Sequence, residues 1–135
     1  MRAVLDPNVL ISALLAPAGK PAAILRAWSA GAFELVASPL LLAELARALA
    51  YPKLNARIPD SEATAVVEWL RRSATVVPDP DEPPTRASED PGDDYLIALA
   101  EHERAALVSG DRHLLELAGD LPIYAPADFL ILLNE

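Results

Sequence analysis

Two aspartates stand close behind short β-type runs: Asp6 directly follows residues 3–5, and Asp111 follows residues 106–108 with Ser109 and Gly110 between. In an α/β sheet, ligands bind outside the carboxyl ends of the strands, so these carboxylates are the first candidates for chemistry. Glu44 is a further candidate, because its helical neighbours at i−4, i−3 and i+4 are Leu40, Leu41 and Ala48, an apolar face on which a lone charge is costly. The run Asp90, Pro91, Gly92, Asp93, Asp94 adds more acid at the start of another helical pattern. Each residue also has an ordinary structural role available. Asp6, Asp90 and Asp111 suit helix caps, acids in a first turn are favoured by the helix dipole, and Glu44 can pair with Arg47 at i+3. Asp93 aligns with Leu96, Ile97 and Ala100, and Asp94 with Ile97 and Ala98, so spacing leaves both open.

Convergence separates these readings. Two carboxylates about 4 Å apart repel by roughly 4 kcal/mol at an effective dielectric near 20, a large penalty for a marginally stable domain. A gathered cluster therefore needs protonation or a hard divalent cation. The chain has no cysteine and only His102 and His113 as imidazoles, too few for a typical zinc centre. An all-oxygen site suits Mg²⁺ or Mn²⁺. Charge makes the same demand, since 11 Lys and Arg against 20 Asp and Glu leave a net charge of −9. That balance opposes binding to a polyanion unless bound cations invert the local sign.

The elements that must position these acids are legible in outline. Short runs at residues 3–5, 33–37, 75–77, 106–108 and 123–124 read as strands, and helical patterns fill residues 9–15, 21–30, 39–50, 61–72, 91–103, 112–118 and 126–133. This alternation predicts an α/β domain with a mostly parallel five-stranded sheet between helices on both faces. Three helix starts pair a capping residue with proline: Asp6 with Pro7, Ser38 with Pro39, and Asp90 with Pro91. The only loop-like stretch, residues 78–91, is too short to separate two domains, so residues 1–135 read as one. No apolar run approaches the roughly 20 residues of a membrane helix. The first residues lack the pattern of a secretory signal, which makes the cytoplasm the expected address.

The segments LDPNVLISALL, SPLLLAELARAL, DPGDDYLIALA and LVSGDRHLL, in this order across nearly the whole chain, resemble the PIN domain, most closely the VapC-type toxins. The resemblance implies a parallel five-stranded sheet with a Mg²⁺ or Mn²⁺ site of four acids at its carboxyl edge: Asp6, Glu44, Asp94 and Asp111. It selects Asp94 because the family's third acid stands three residues before an aliphatic and alanine pair, here Ile97 and Ala98; Asp93 is the second choice. Asn8 and Ser109 match polar positions that support the acids. One departure is Pro7, where the family usually carries threonine or serine; proline offers neither hydroxyl nor N–H.

The implied activity is that of an endoribonuclease in which Asp6, Asp94 and Asp111 hold the metal and Glu44 holds it too or orients water. The products would carry a 5′-phosphate and a 3′-hydroxyl. Arg47, Lys53 and Arg57 are the cations nearest in sequence to Glu44 for gripping an RNA backbone. The resemblance further implies a homodimer and a cognate antitoxin that covers the acidic site. An alternative is a catalytically silent PIN domain serving RNA processing or protein interaction. Receiver domains and haloacid-dehalogenase-like phosphatases also place an aspartate after the first strand. Asn8 fills the second position of the phosphatase Asp-x-Asp signature, and no lysine follows Lys53 to serve a receiver's late strand.

Overall fold

The computed structural model describes residues 1–135. Strands β1 (Arg2–Leu5), β2 (Glu34–Ala37), β3 (Thr75–Val76), β4 (Ala106–Val108) and β5 (Ile123–Tyr124) form one sheet in the order β3-β2-β1-β4-β5. Every neighbouring pair is parallel, with Leu35 opposite Ala3 and Leu107 opposite Val4. Ala3, Val4 and Leu5 are all buried, as are Leu35, Val36 and Ala37. Successive strand residues point to opposite faces, so unbroken burial means that both faces are covered, as a parallel sheet requires.

The helices are α1 (Pro7–Leu15), α2 (Lys20–Ser29), α3 (Pro39–Leu49), α4 (Pro52–Asn55), α5 (Asp60–Ser73), α6 (Asp94–His102), α7 (Arg112–Leu115) and α8 (Pro126–Leu133). Helix α1 packs on α2 and α3, α3 on α5, and α2 on α8, while α6 lies against β1 and β4. Phe33, ahead of β2, meets Phe129 of α8 edge to face at 5.2 Å, the favoured arrangement for an aromatic pair. No single helix is long and apolar enough to cross a membrane.

The three proline-marked helix starts form as expected. The Asp6, Ser38 and Asp90 side chains accept from the N–H groups of Asn8, Leu41 and Gly92. Three details differ from the sequence reading. Residues 91–103 divide into a 3₁₀ turn, Pro91–Asp93, and α6. The segment after Arg112 leaves the α-helix at Leu115, because the Leu117 and Ala118 N–H groups bond three residues back, to Leu114 and Leu115. Helix α4 was not anticipated; a single turn opened by Pro52 is too short to show a period.

The chain winds from β1 outward through β2 and β3, then crosses to β4 on the other side of β1. The order reverses between β1 and β4, and such a switch point leaves a crevice at the carboxyl ends of the two strands. Asp6 leaves one of them and Asp111 follows the other.

Candidate metal centre

Asp6 follows β1 with its N–H still bonded to Val108 O at 3.0 Å, a rung that ties the end of β1 to β4. Its carboxylate is fixed at both oxygens: Asn8 N–H donates to Oδ1 at 3.0 Å and the Ser109 hydroxyl donates to Oδ2 at 2.8 Å. Burial pushes its pKa up, the two hydrogen bonds oppose that, and the charge of Asp111 adds to the rise. Ser109 is fully buried and its Oγ also accepts from Asp111 N–H at 3.0 Å. Asp111 in turn caps α7, its Oδ1 taking His113 N–H at 2.7 Å. Capping and clustering are thus one arrangement, and each cap bond holds a carboxylate in a set direction.

The third acid facing this pair is Asp93. Burial first, then the charges of Asp111, Asp6 and Asp90, raise its pKa to about 6, with His113 acting in the opposite sense. Its Oδ2 is shut off from solvent without a hydrogen-bond partner. Asp94 is turned elsewhere: its Oδ1 accepts from Ser88 N–H at 2.8 Å and ties down the preceding loop. The resemblance puts Asp94 first and Asp93 second; in the structure it is the Asp93 carboxyl on which the charges of Asp6 and Asp111 act. Spacing leaves the two open because Leu96, Ile97, Ala98, Leu99 and Ala100 of α6 are all buried, so it marks no unique inward face.

Glu44 is half-buried on α3 and makes the ion pair with Arg47 foreseen as its structural role. It stands near the acids through Tyr95, which the sequence reading passed over. Burial holds the Tyr95 phenol protonated, and the charges of Asp6, Glu44, Asp93 and Asp79 act in the same direction. Asp79 was missed as well. Its Oδ2 accepts from Leu40 N–H at 2.9 Å at the start of α3, while its Oδ1 is enclosed without a partner. A tyrosine beside two acids on an otherwise apolar helix was the available signal for Tyr95. Nothing local marks Asp79. Arg47, Lys53 and Arg57 are exposed, and none is among the charges that perturb Asp6 or Asp93.

The donor set fits a hard divalent cation. Asp93 Oδ2 has no partner, Asp6 and Asp111 act on it as negative charges, and an ionised carboxylate that already accepts one hydrogen bond keeps lone pairs for a metal. Glu89, His113 and Glu116 form a second group, with ligand atoms within 4.8 Å of one another and His113 Nδ1 3.2 Å from Glu89 Oε2. Its two glutamates are exposed to water, so this group bears less electrostatic cost without an ion than buried Asp6 with half-buried Asp93 and Asp111.

Comparison with curated proteins gives no match. A family model described as the PIN domain matches residues 2–113, a span that begins in β1, ends in α7 and contains Asp6, Glu44, Asp93, Asp94 and Asp111. PIN domains are generally nucleases that use divalent metals. With its parallel sheet and the acids at its carboxyl edge, the chain belongs to the PIN domain family.

Proposed function

We propose that this chain is a divalent-cation-dependent endoribonuclease, with Asp6, Asp93 and Asp111 as the groups that would hold Mg²⁺ or Mn²⁺. The observation that carries the reading is the enclosed, unpartnered Asp93 Oδ2 of a carboxyl on which the charges of Asp111 and Asp6 act. A bound ion would supply Lewis-acid polarisation of the phosphoryl group and lower the pKa of water. The protein contributes position. Ser109 and the Asn8 N–H lock the Asp6 carboxylate, and the His113 N–H locks that of Asp111. Tyr95 keeps its proton at neutral pH and donates it in a hydrogen bond to a phosphate oxygen. Glu44, whose charge acts on Tyr95, orients the attacking water. Hydrolysis breaks the P–O3′ bond and leaves a 5′-phosphate and a 3′-hydroxyl.

The motif order that resembles VapC-type toxins supports a wider role for the same site: the toxin of a toxin-antitoxin pair, acting in the cytoplasm as a homodimer. An antitoxin segment bearing arginine would neutralise the acidic edge. Arg47, Lys53 and Arg57 remain the proposed grip on the RNA backbone, weakened by the commitment of Arg47 to Glu44.

The test is incubation of end-labelled single-stranded RNAs with Mg²⁺ or Mn²⁺. Cleavage that leaves 5′-phosphates, is stopped by EDTA and is lost in Asp93→Asn supports the proposal. A second reading, a silent PIN domain used for RNA processing or protein interaction, is favoured by Pro7, which is buried at the first position of α1. Saturable metal binding without cleavage of any RNA would select it.

A further inference from the structure

A cavity of about 280 Å³ opens beside Asp111, where α1, the start of α2, the loop after β4 and the start of α8 meet. Its walls include Asn8, Ser12, Pro21, Gly110, Asp111 and Pro126. Asn8 and Ser12 are one helical turn apart and therefore share a face of α1. Both are exposed, so their amide and hydroxyl are open to a ligand. Pro21 and Pro126 add apolar ring surface. Asp111 is the sole charged residue in the lining, and no lysine or arginine reaches it. Such a cavity does not recognise an anion; it suits an uncharged group with hydrogen-bonding edges and a flat apolar face. Its volume falls at the small end for ligand pockets, which start near about 300 Å³, enough for one nucleoside.

We infer that this cavity receives the ribose and base of the nucleotide adjoining the scissile phosphate, and that Ser12, together with Asn8, reads their polar edges. The inference rests on the ribonuclease reading above. It gives that reading a direction: the phosphate lies over the acids, and one flanking nucleoside turns past Asp111 toward α1 and α8. Recognition by two hydrogen bonds and a stacked face contributes to affinity without a basic residue, as an acidic protein requires.

The experiment follows amide NMR signals during titration with uridine and adenosine 5′-monophosphates and with inorganic phosphate, all in Mg²⁺. Two added hydrogen bonds predict that at least one monophosphate binds about tenfold or more tightly than phosphate and shifts Asn8, Ser12 and Gly110. Ser12→Phe, which fills the cavity from an exposed position, removes that advantage while phosphate binds as in the parent. Gly110→Leu is the second variant, because nothing lies within 4 Å of where its Cβ would stand, so a side chain can start there without a clash and extend over the mouth. Monophosphates binding no more tightly than phosphate, or keeping their full advantage in both variants, overturn the inference. The free nucleosides separate it from the reading beneath it. Shifts at Asn8 and Ser12 from a nucleoside, with no binding of phosphate, uphold the cavity and count against the metal-phosphate site. Phosphate binding with no response to nucleosides or monophosphates at these residues has the reverse meaning.

Discussion

Ser109 donates its hydroxyl proton to Asp6 Oδ2 at 2.8 Å, and the Ser109 Oγ accepts the Asp111 N–H at 3.0 Å. One buried hydroxyl therefore joins the acid after β1 to the acid after β4 across the switch point of the sheet. Replacing it by alanine leaves a buried carboxylate oxygen and a backbone N–H without partners. Ser109→Ala is expected to lower stability by about 1–3 kcal/mol, read from urea unfolding. Mn²⁺ affinity should fall about 10–100-fold, as when groups that orient a metal ligand are removed. Unchanged affinity in a folded variant would separate Ser109 from the site.

Asp93 sets a pH dependence. Its folded pKa of about 6 lies above the ordinary value of 3.8 because of burial and of Asp111 and Asp6, so between these values the folded state binds more protons than the unfolded. The stabilising contribution of the neutral carboxyl is complete below about pH 3.8 and is lost as pH rises through about 6. Asp6 shifts in the same direction. Glu34 and Glu103 shift downward and contribute with the opposite sign, but they are common to parent and variant. In metal-free protein, Asp93→Asn should gain stability relative to the parent as pH rises from about 4 to about 7. Saturating Mg²⁺ at neutral pH should reverse that gain by stabilising the parent alone. A difference that stays flat with pH in urea unfolding would contradict the assignment.

Asp79 acts on the helix that carries Glu44. Its Oδ2 takes the Leu40 N–H in the first turn of α3, beside the cap that Ser38 supplies to Leu41. Asp79→Ala should cost about 1 kcal/mol, the typical worth of a cap, whereas Asp79→Asn keeps an acceptor and most of the stability. Neither should alter Mn²⁺ affinity by more than about threefold, because Asp79 is not among the charges that act on Asp6 or Asp93.

Tyr95→Phe tests the phenol itself. The ring still packs on the core, so the unfolding midpoint should change little. If the hydroxyl donates to the phosphate, kcat/KM for RNA falls at least about tenfold while Mn²⁺ affinity holds. Equal loss of metal binding would mean that the hydroxyl supports the acids instead.

Much of this arrangement is written locally. The five strands are short apolar runs between helical patterns, and proline after a capping residue marks the starts of α1, α3 and the 3₁₀ turn. Asp6 and Asp111 could be placed at the sheet edge because position after a strand determines where a side chain emerges. Asp93 and Asp94 could not be ranked by spacing, since the five residues that follow Tyr95 in α6 are all buried. Asp79 reaches Leu40 across 39 residues of chain, and no periodicity encodes such a contact. Glu44 shows the opposite limit: its pairing with Arg47 was legible from i, i+3 spacing, while its electrostatic effect on Tyr95 depends on how the fold places α3 relative to α6.

Calorimetric titration of Mn²⁺ into metal-stripped protein asks, without knowledge of the substrate, whether Asp93 forms a divalent-cation site with Asp6 and Asp111. Parent protein and Asp94→Asn should both show saturable binding, because the amide oxygen that replaces the carboxylate can still accept from the Ser88 N–H. Asp93→Asn should bind at least about tenfold more weakly, having lost an anionic ligand. Retained binding in Asp93→Asn with loss in Asp94→Asn, or no binding in the parent, would contradict the account.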